Sequence, residues 1–226
     1  LLLCACAGPG QPQPAAGVVA ASVRDGVSLT EGGTPVLFYR SQPEPGREAW
    51  RMNYVHPLHS VAGAVITEDG PPDHLHQRGV YWAWRRILVD GERVADGWVG
   101  DNLVLEVDTP VTHAWPDGSA QVDTRVVWHV PVNGSPTPII EELSTIRAYP
   151  AAGGHRRIDF DIRLRGLRTG VQLAGTDDDK GYGGFSLRFG HADQLDFASA
   201  GSSLQPAIGA VHTGADVTLA WRAPAA

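Results

Sequence analysis

The chain has 226 residues, 42% of them apolar, with 27 Gly and 17 Pro, which fits one domain with a sizeable core and many turns. A formal net charge of −7 argues against a nucleic-acid partner, because phosphate backbones demand a clustered basic surface. The densest basic run, "HRRIDFDIRLRGLR", is interspersed with acids, and no segment reaches the roughly 18 to 20 consecutive apolar residues that span a bilayer as a helix.

The opening "LLLCACAGPGQPQPAAG", residues 1–17, reads as the end of a secretion signal followed by a Pro/Gln/Gly linker. Ala5 before Cys6 fits a bacterial lipobox. We therefore expect an exported protein, whether periplasmic, secreted or an outer-membrane lipoprotein, with a lipid anchor as its sole membrane contact. The charged start of such a signal is expected to be missing, since Met52 is the one Met. Both cysteines, Cys4 and Cys6, fall in this leader, leaving the folded part without disulfide or thiol chemistry.

From residue 18 onward, turn signals arrive at short intervals, among them "DG" at 25–26, 69–70, 90–91, 96–97 and 117–118, and "NG" at 133–134. Between them run β-branched or alternating segments: "VVAASV", "TPVLFYR", "RILVDGERV", "NLVLEVDTP", "AQVDTRVVWHVPV", "TPIIEELSTIRAY", "RRIDFDIRLRGL", "VQLAG" and "GGFSLRF". Short strands joined by Asp-Gly and Asn-Gly turns predict an all-β, antiparallel protein, with no helical period of ten or more residues. Ten or more strands close naturally as a two-sheet β-sandwich or jelly roll, taken as one domain over residues 18–226. The last 30 residues are weaker in pattern, and the chain is expected to be truncated at its C-terminal end.

The chemistry concentrates in "YVHPLHS" and "DGPPDHLHQRGVYWAWRR". If residues 73–84 are extended, His74, His76, Arg78, Trp82 and Trp84 share one face, and Asp73, Gln77 and Tyr81 the other. A strand that is polar on both faces gains little from burial and is expected to line a wet cleft or a hydrogen-bonded network. One reading is a divalent metal on the H-x-H pair, completed by His56 or His59 and a carboxylate. It is the lesser one, since no Glu follows and Arg78 repels a cation; no cofactor is otherwise expected. The other is carbohydrate chemistry: imidazoles exchange protons near neutrality, Arg binds hydroxyls or a carboxylate, and Trp stacks on sugar CH groups. The partner carboxylate is Glu141 or Glu142 in "PIIEELSTI". These point to opposite faces, Glu142 with Ser144 and Ile146, and periodicity does not choose between them. Further on, "GTDDDKGYGGFSLRF" offers a Gly-rich loop able to approach a ligand, with Lys180 and Tyr182 at its tip. It lacks the strand–helix setting of a phosphate loop, and no serine-hydrolase elbow or zinc-protease motif is present.

The block "YVHPLHS…VITEDGPPDHLHQRGVYWAW", with "KGYGGFSLRF" and "IIEELSTIRAY", resembles the bacterial family labelled PmoA or methane oxygenase PmoA, over most of residues 36–190. Gln77 stands where that family has a second His, and the chain diverges after Phe189. The resemblance implies a galactose-mutarotase-like β-sandwich rather than a membrane methane oxygenase, and it favours Glu142 over Glu141. The expectation is an exported, carbohydrate-active enzyme working by His/Glu acid–base chemistry as an epimerase, lyase or hydrolase. His74, His76 and Glu142 would be catalytic, and His56, Arg78, Trp82, Trp84, Lys180 and Tyr182 would bind the sugar. The alternatives are a non-catalytic carbohydrate-binding module and a metal-dependent, cupin-like enzyme.

Overall fold

The computed structural model describes residues 17–178 and 180–190, and the backbone of three strands beyond them; the leader lies outside the described residues. In chain order the strands are β1 (Val18–Val23), β2 (Gly26–Glu31), β3 (Thr34–Arg40), β4 (Tyr54–Leu58), β5 (Val80–Trp84), β6 (Arg86–Val89), β7 (Glu92–Ala95), β8 (Val104–Val107) and β9 (Val111–Ala114). They continue with β10 (Ala120–Val132), β11 (Ser135–Ala148), β12 (Ile158–Gly166), β13 (Val171–Ala174), β14 (Gly183–Leu187), β15 (Gln194–Ser199), β16 (Ser202–Leu204) and β17 (Val217–Arg222). Every pairing among them is antiparallel. No helix occurs among the described residues, and none is therefore long and apolar enough to cross a membrane.

Three of the two-residue turns with both central residues at positive φ connect named strands: Gly32-Gly33, Asp90-Gly91 and Asn133-Gly134. That backbone suits the right-handed twist of paired strands, which is why Asp-Gly and Asn-Gly close hairpins. They join β2 to β3, β6 to β7, and the long β10 to β11.

A six-stranded sheet runs β1-β2-β3-β4-β5-β14, and a five-stranded sheet runs β12-β11-β10-β8 with β9 also on β10. Alternation along each strand sends one set of side chains inward. Val27, Leu29, Tyr39, Val55, Val80 and Trp82 come from the first sheet, and Val122, Val126, Trp128, Ile140 and Ile146 from the second. They meet in a shared core, so the molecule is a β-sandwich, as the strand count predicted. Each such aliphatic side chain contributes about 1.5–3 kcal/mol by leaving water. The three-stranded sheet β13-β6-β7 adds Ile87, Val89 and Ala95 to the same core.

The expected extended run over 73–84 is shorter than predicted. β5 begins at Val80, and residues 71–77 form tight turns, with His74 N–H donating to Pro71 O at 2.9 Å and Gln77 N–H to His74 O at 2.9 Å. The proposed sharing of one face by His74, His76, Arg78, Trp82 and Trp84 therefore does not hold.

Candidate functional site at the outer face of the six-stranded sheet

Strands β3, β4 and β5 turn Arg40, Tyr54, Tyr81 and Ala83 to the side of the sheet opposite the core, where Tyr54, Tyr81, Ala83 and Trp98 form a second buried cluster. The Asp73-to-Gln77 turn reaches this cluster through His76, and Gly79 is what allows it. At φ +36°, a Cβ on Gly79 would lie 2.0 Å from Val55 O and 2.8 Å from His56 Cβ, so only glycine lets the chain press this closely onto β4. The turn is clamped by Arg188, which donates to Glu68 at 3.2 Å, Gln77 at 3.1 Å and Asp73 at 3.2 Å. Gln77 thus serves here as an anchor whose amide oxygen accepts from Arg188.

On this turn the two imidazoles stand edge to face, 5.9 Å between centroids. His74 Nδ1 lies 2.8 Å from Asp73 Oδ2. Asp73 is held below the usual carboxylate range first by that bond to His74 and then by Arg188, so it is ionised, and the imidazole must be the donor. That commits Nδ1–H of His74 to Asp73 and orients the ring, on a side chain 40% exposed. His76 is pushed below its ordinary value by partial burial, then by the neighbouring His74, Arg85 and Arg78, so it is neutral near pH 7.

Aromatic rings extend the surface. Trp98 lies 6.3 Å from His76 and 5.2 Å from Tyr81, and stacks on Tyr182 at 5.3 Å. Its turn is set by the buried Asp96, whose Oδ1 accepts from Trp98 N–H at 2.8 Å and Val99 N–H at 3.2 Å. Asp96 is in turn paired with Arg93 at 2.8 Å and Arg85 at 3.3 Å. Tyr182 is placed by its N–H donating to Thr176 Oγ1 at 3.0 Å, and Lys180 Nζ lies 5.8 Å from its ring.

Arg78 lies beneath, 3% exposed, its guanidinium carbon 4.9 Å from the Trp50 ring, 4.8 Å from Tyr81 and 5.8 Å from Tyr54. Burial lowers its pKa to about 10. Beside it, Arg51 donates to Asp69 Oδ1 at 2.7 Å, and Tyr54 O–H donates to Asp69 Oδ2 at 2.9 Å. His56 is half-buried on β4, its Nδ1 2.9 Å from Thr67 Oγ1. Leu58 N–H also donates to that hydroxyl oxygen, at 3.0 Å, so Thr67 ties the ring to the β4 backbone. Burial keeps this imidazole below its ordinary value.

Three assignments fail. Glu142 is 0% exposed, on the opposite, interior side of β5. It accepts from Asn53 Nδ2 at 2.9 and 3.0 Å, Trp82 Nε1 at 2.7 Å, Trp128 Nε1 at 2.9 Å and Ser144 Oγ at 2.5 Å. Asn53, at positive φ, itself accepts from Tyr39 O–H at 2.9 Å. Burial raises the Glu142 pKa, against the lowering effect of these four donors. It is a structural carboxylate stitching the two sheets, with no route to His74 or His76. Trp82 faces the same interior, packed in the core between the sheets with its Nε1 committed to Glu142, so it is no sugar platform on the outer face. Trp84 also turns inward, against Trp128 at 6.1 Å.

A family model described as a family of unknown function, DUF6807, matches residues 26–222. The chain belongs to this family. That corrects the expected resemblance to the PmoA family, to which nothing in the comparisons points. No curated protein and no solved structure matches the chain. Within this DUF6807 chain the structure brings together His74, His76, Arg78, Lys180 and Tyr182, sets His56 on the neighbouring strand, and leaves out Glu142, Trp82 and Trp84. Among the described residues, no three His, Cys, Asp or Glu side chains are grouped to hold a metal ion.

Sequence reasoning missed Trp98, Trp50 and the Asp73 role. The bracketing of Trp98 by Gly97 and Gly100 was the available signal, since Gly100 packs flat on Trp50: a Cβ there would lie 2.1 Å from Trp50 Cγ.

Proposed function

We propose that the surface formed by the 71–77 turn, Trp98 and Tyr182 binds a carbohydrate and performs proton transfer on it. The observation that carries this reading is the pair of unlike imidazoles 5.9 Å apart, one oriented by a carboxylate and the other kept neutral by its surroundings. Catalytic acid and base need protonation states set separately by their environments. The Asp73 carboxylate orients the His74 ring through its Nδ1–H and turns Nε2 toward the ligand. His76, held neutral, takes a proton from a sugar carbon, and the imidazolium so formed returns it to the departing oxygen as the C–O bond breaks and the double bond forms. The Tyr182 ring, backed by Trp98, offers an aromatic wall for sugar CH groups. The carboxylate partner is Asp73, bonded to His74, in place of Glu142, which the family resemblance favoured. Elimination fits, since the proton is taken and returned at one face of the sugar; inversion of a carbon would need a second group on the opposite face.

The test is a turnover screen over neutral and modified sugars, wild type beside His74→Ala, His76→Ala and the distant control His113→Ala. Loss of about 100-fold or more in turnover for the two site variants, with the control unchanged, is the expected result, since a general acid or base contributes roughly 10²–10⁴-fold. Sugar binding without turnover in the wild type would select the non-catalytic module instead.

A further inference from the structure

Among the described residues, Arg78 is a buried cation without a carboxylate of its own. The other buried arginines on this face have one: Arg40 pairs with Glu44 at 2.6 Å and Arg51 with Asp69 at 2.7 Å. Asp69 is fully engaged by Arg51, Tyr54 and, at 3.7 Å, Arg47. Among the described residues the Arg78 guanidinium makes one hydrogen bond, a long one of 3.5 Å to His76 O, and its buried Nε has no partner. The three surrounding rings favour a cation but leave its in-plane N–H groups unanswered. A buried charge ordinarily acquires a paired, hydrogen-bonded counter-charge. Lys180, at the other end of the Tyr81–Trp98–Tyr182 chain of rings, likewise forms no ion pair among the described residues. Asp69 and Asp178 act on these two cations through space, yet among the described residues no carboxylate meets the Arg78 N–H groups directly.

We propose that the sugar taken by this site bears an anionic group, a carboxylate or a phosphate, and that Arg78 supplies its counter-charge beneath His76. The inference rests on the carbohydrate reading above and narrows its substrate class. The planar guanidinium fork matches either oxyanion, which an ammonium does not. Lys180 approaches the same ligand from the Tyr182 side.

The experiment is calorimetric binding to the whole protein of gluco- and galacto-configured uronates, their methyl esters, the corresponding sugar 6-phosphates and the parent neutral sugars. Acetate and inorganic phosphate form separate arms. In the wild type an anionic sugar is expected to bind about tenfold more tightly than its ester or parent, a difference of about 1.4 kcal/mol. In Arg78→Gln that preference falls to within about twofold, and in Arg163→Gln, on the other sheet, it persists. The uronate-versus-ester comparison in the wild type stands even if Arg78→Gln fails to fold. Equal affinity for charged and neutral sugars overturns the proposal while leaving the carbohydrate reading intact. Binding of acetate or phosphate that Arg78→Gln abolishes, with no sugar bound, supports the anion site and removes the carbohydrate reading. A wild type that binds neither sugars nor anions overturns both.

Discussion

Glu142 and His76 are the two residues on which the account turns, and they sit in opposite kinds of environment. Glu142 is answered by four neutral donors and by no cation, so its worth is structural. Glu142→Ala leaves Asn53, Trp82, Trp128 and Ser144 without their acceptor, and is expected to cost about 3–5 kcal/mol, the scale for breaking a buried charged network. Urea unfolding measures it. The same variant, where folded, should keep its ligand affinity, because nothing at Glu142 touches the outer face. His76 behaves oppositely. His76→Ala should leave stability nearly unchanged and abolish turnover. If His76 acts as the base, the acid limb of kcat/KM falls below the ordinary histidine value of 6.5, since burial and neighbouring cations lower its pKa. A limb at or above that value removes the role.

At the scale of elements, the decisive contact is β4 against β5, which is joined by a single ladder pair, Val55 with Val80. Gly79 sits at its mouth. Gly79→Ala drives a methyl into Val55 O, 2.0 Å from the ideal Cβ, and is expected to cost about 2 kcal/mol or more and to disturb the turn carrying His74 and His76. Gly134→Ala, also at positive φ but with open space around it, is expected to cost about 1 kcal/mol from strain alone; thermal melts of the two distinguish them. This contrast also explains what the sequence could show. Strands β1, β3 and β10 were legible to the residue, because alternation and turn chemistry are local. The 71–77 turn was not, because its clamp, Arg188, lies 111 residues from Gln77 and a polar alternation suits a strand as well as a turn. Alternation did place Glu142 with Ser144 and Ile146, which is correct. That this face is the interior depends on Asn53 and Trp82, 89 and 60 residues away, and no spacing reveals that.

As a whole, the sandwich separates a polar network between its sheets from a polar surface outside one of them, and β5 serves both, with Trp82 inward and Tyr81 outward. The two contribute to pH-dependent stability with opposite signs. The Glu142 pKa is raised on folding, so its contribution is full below the unfolded value of 4.5 and is lost as pH rises through the folded value. His56 and His76 are lowered, so theirs is full above 6.5 and is lost as pH falls through their folded values. The stability gap between wild type and Glu142→Gln should therefore narrow as pH rises above 4.5, which urea melts across the pH range will show. The most direct test of the central claim is an NMR titration of protein carrying ¹⁵N in its histidine and tryptophan rings with a sugar that binds. The account predicts that the His74, His76 and Trp98 ring signals shift together, while His113 and His129 on the five-stranded sheet stay fixed. Saturating sugar that leaves His74 and His76 unmoved, or that moves His113 or His129 instead, would contradict it.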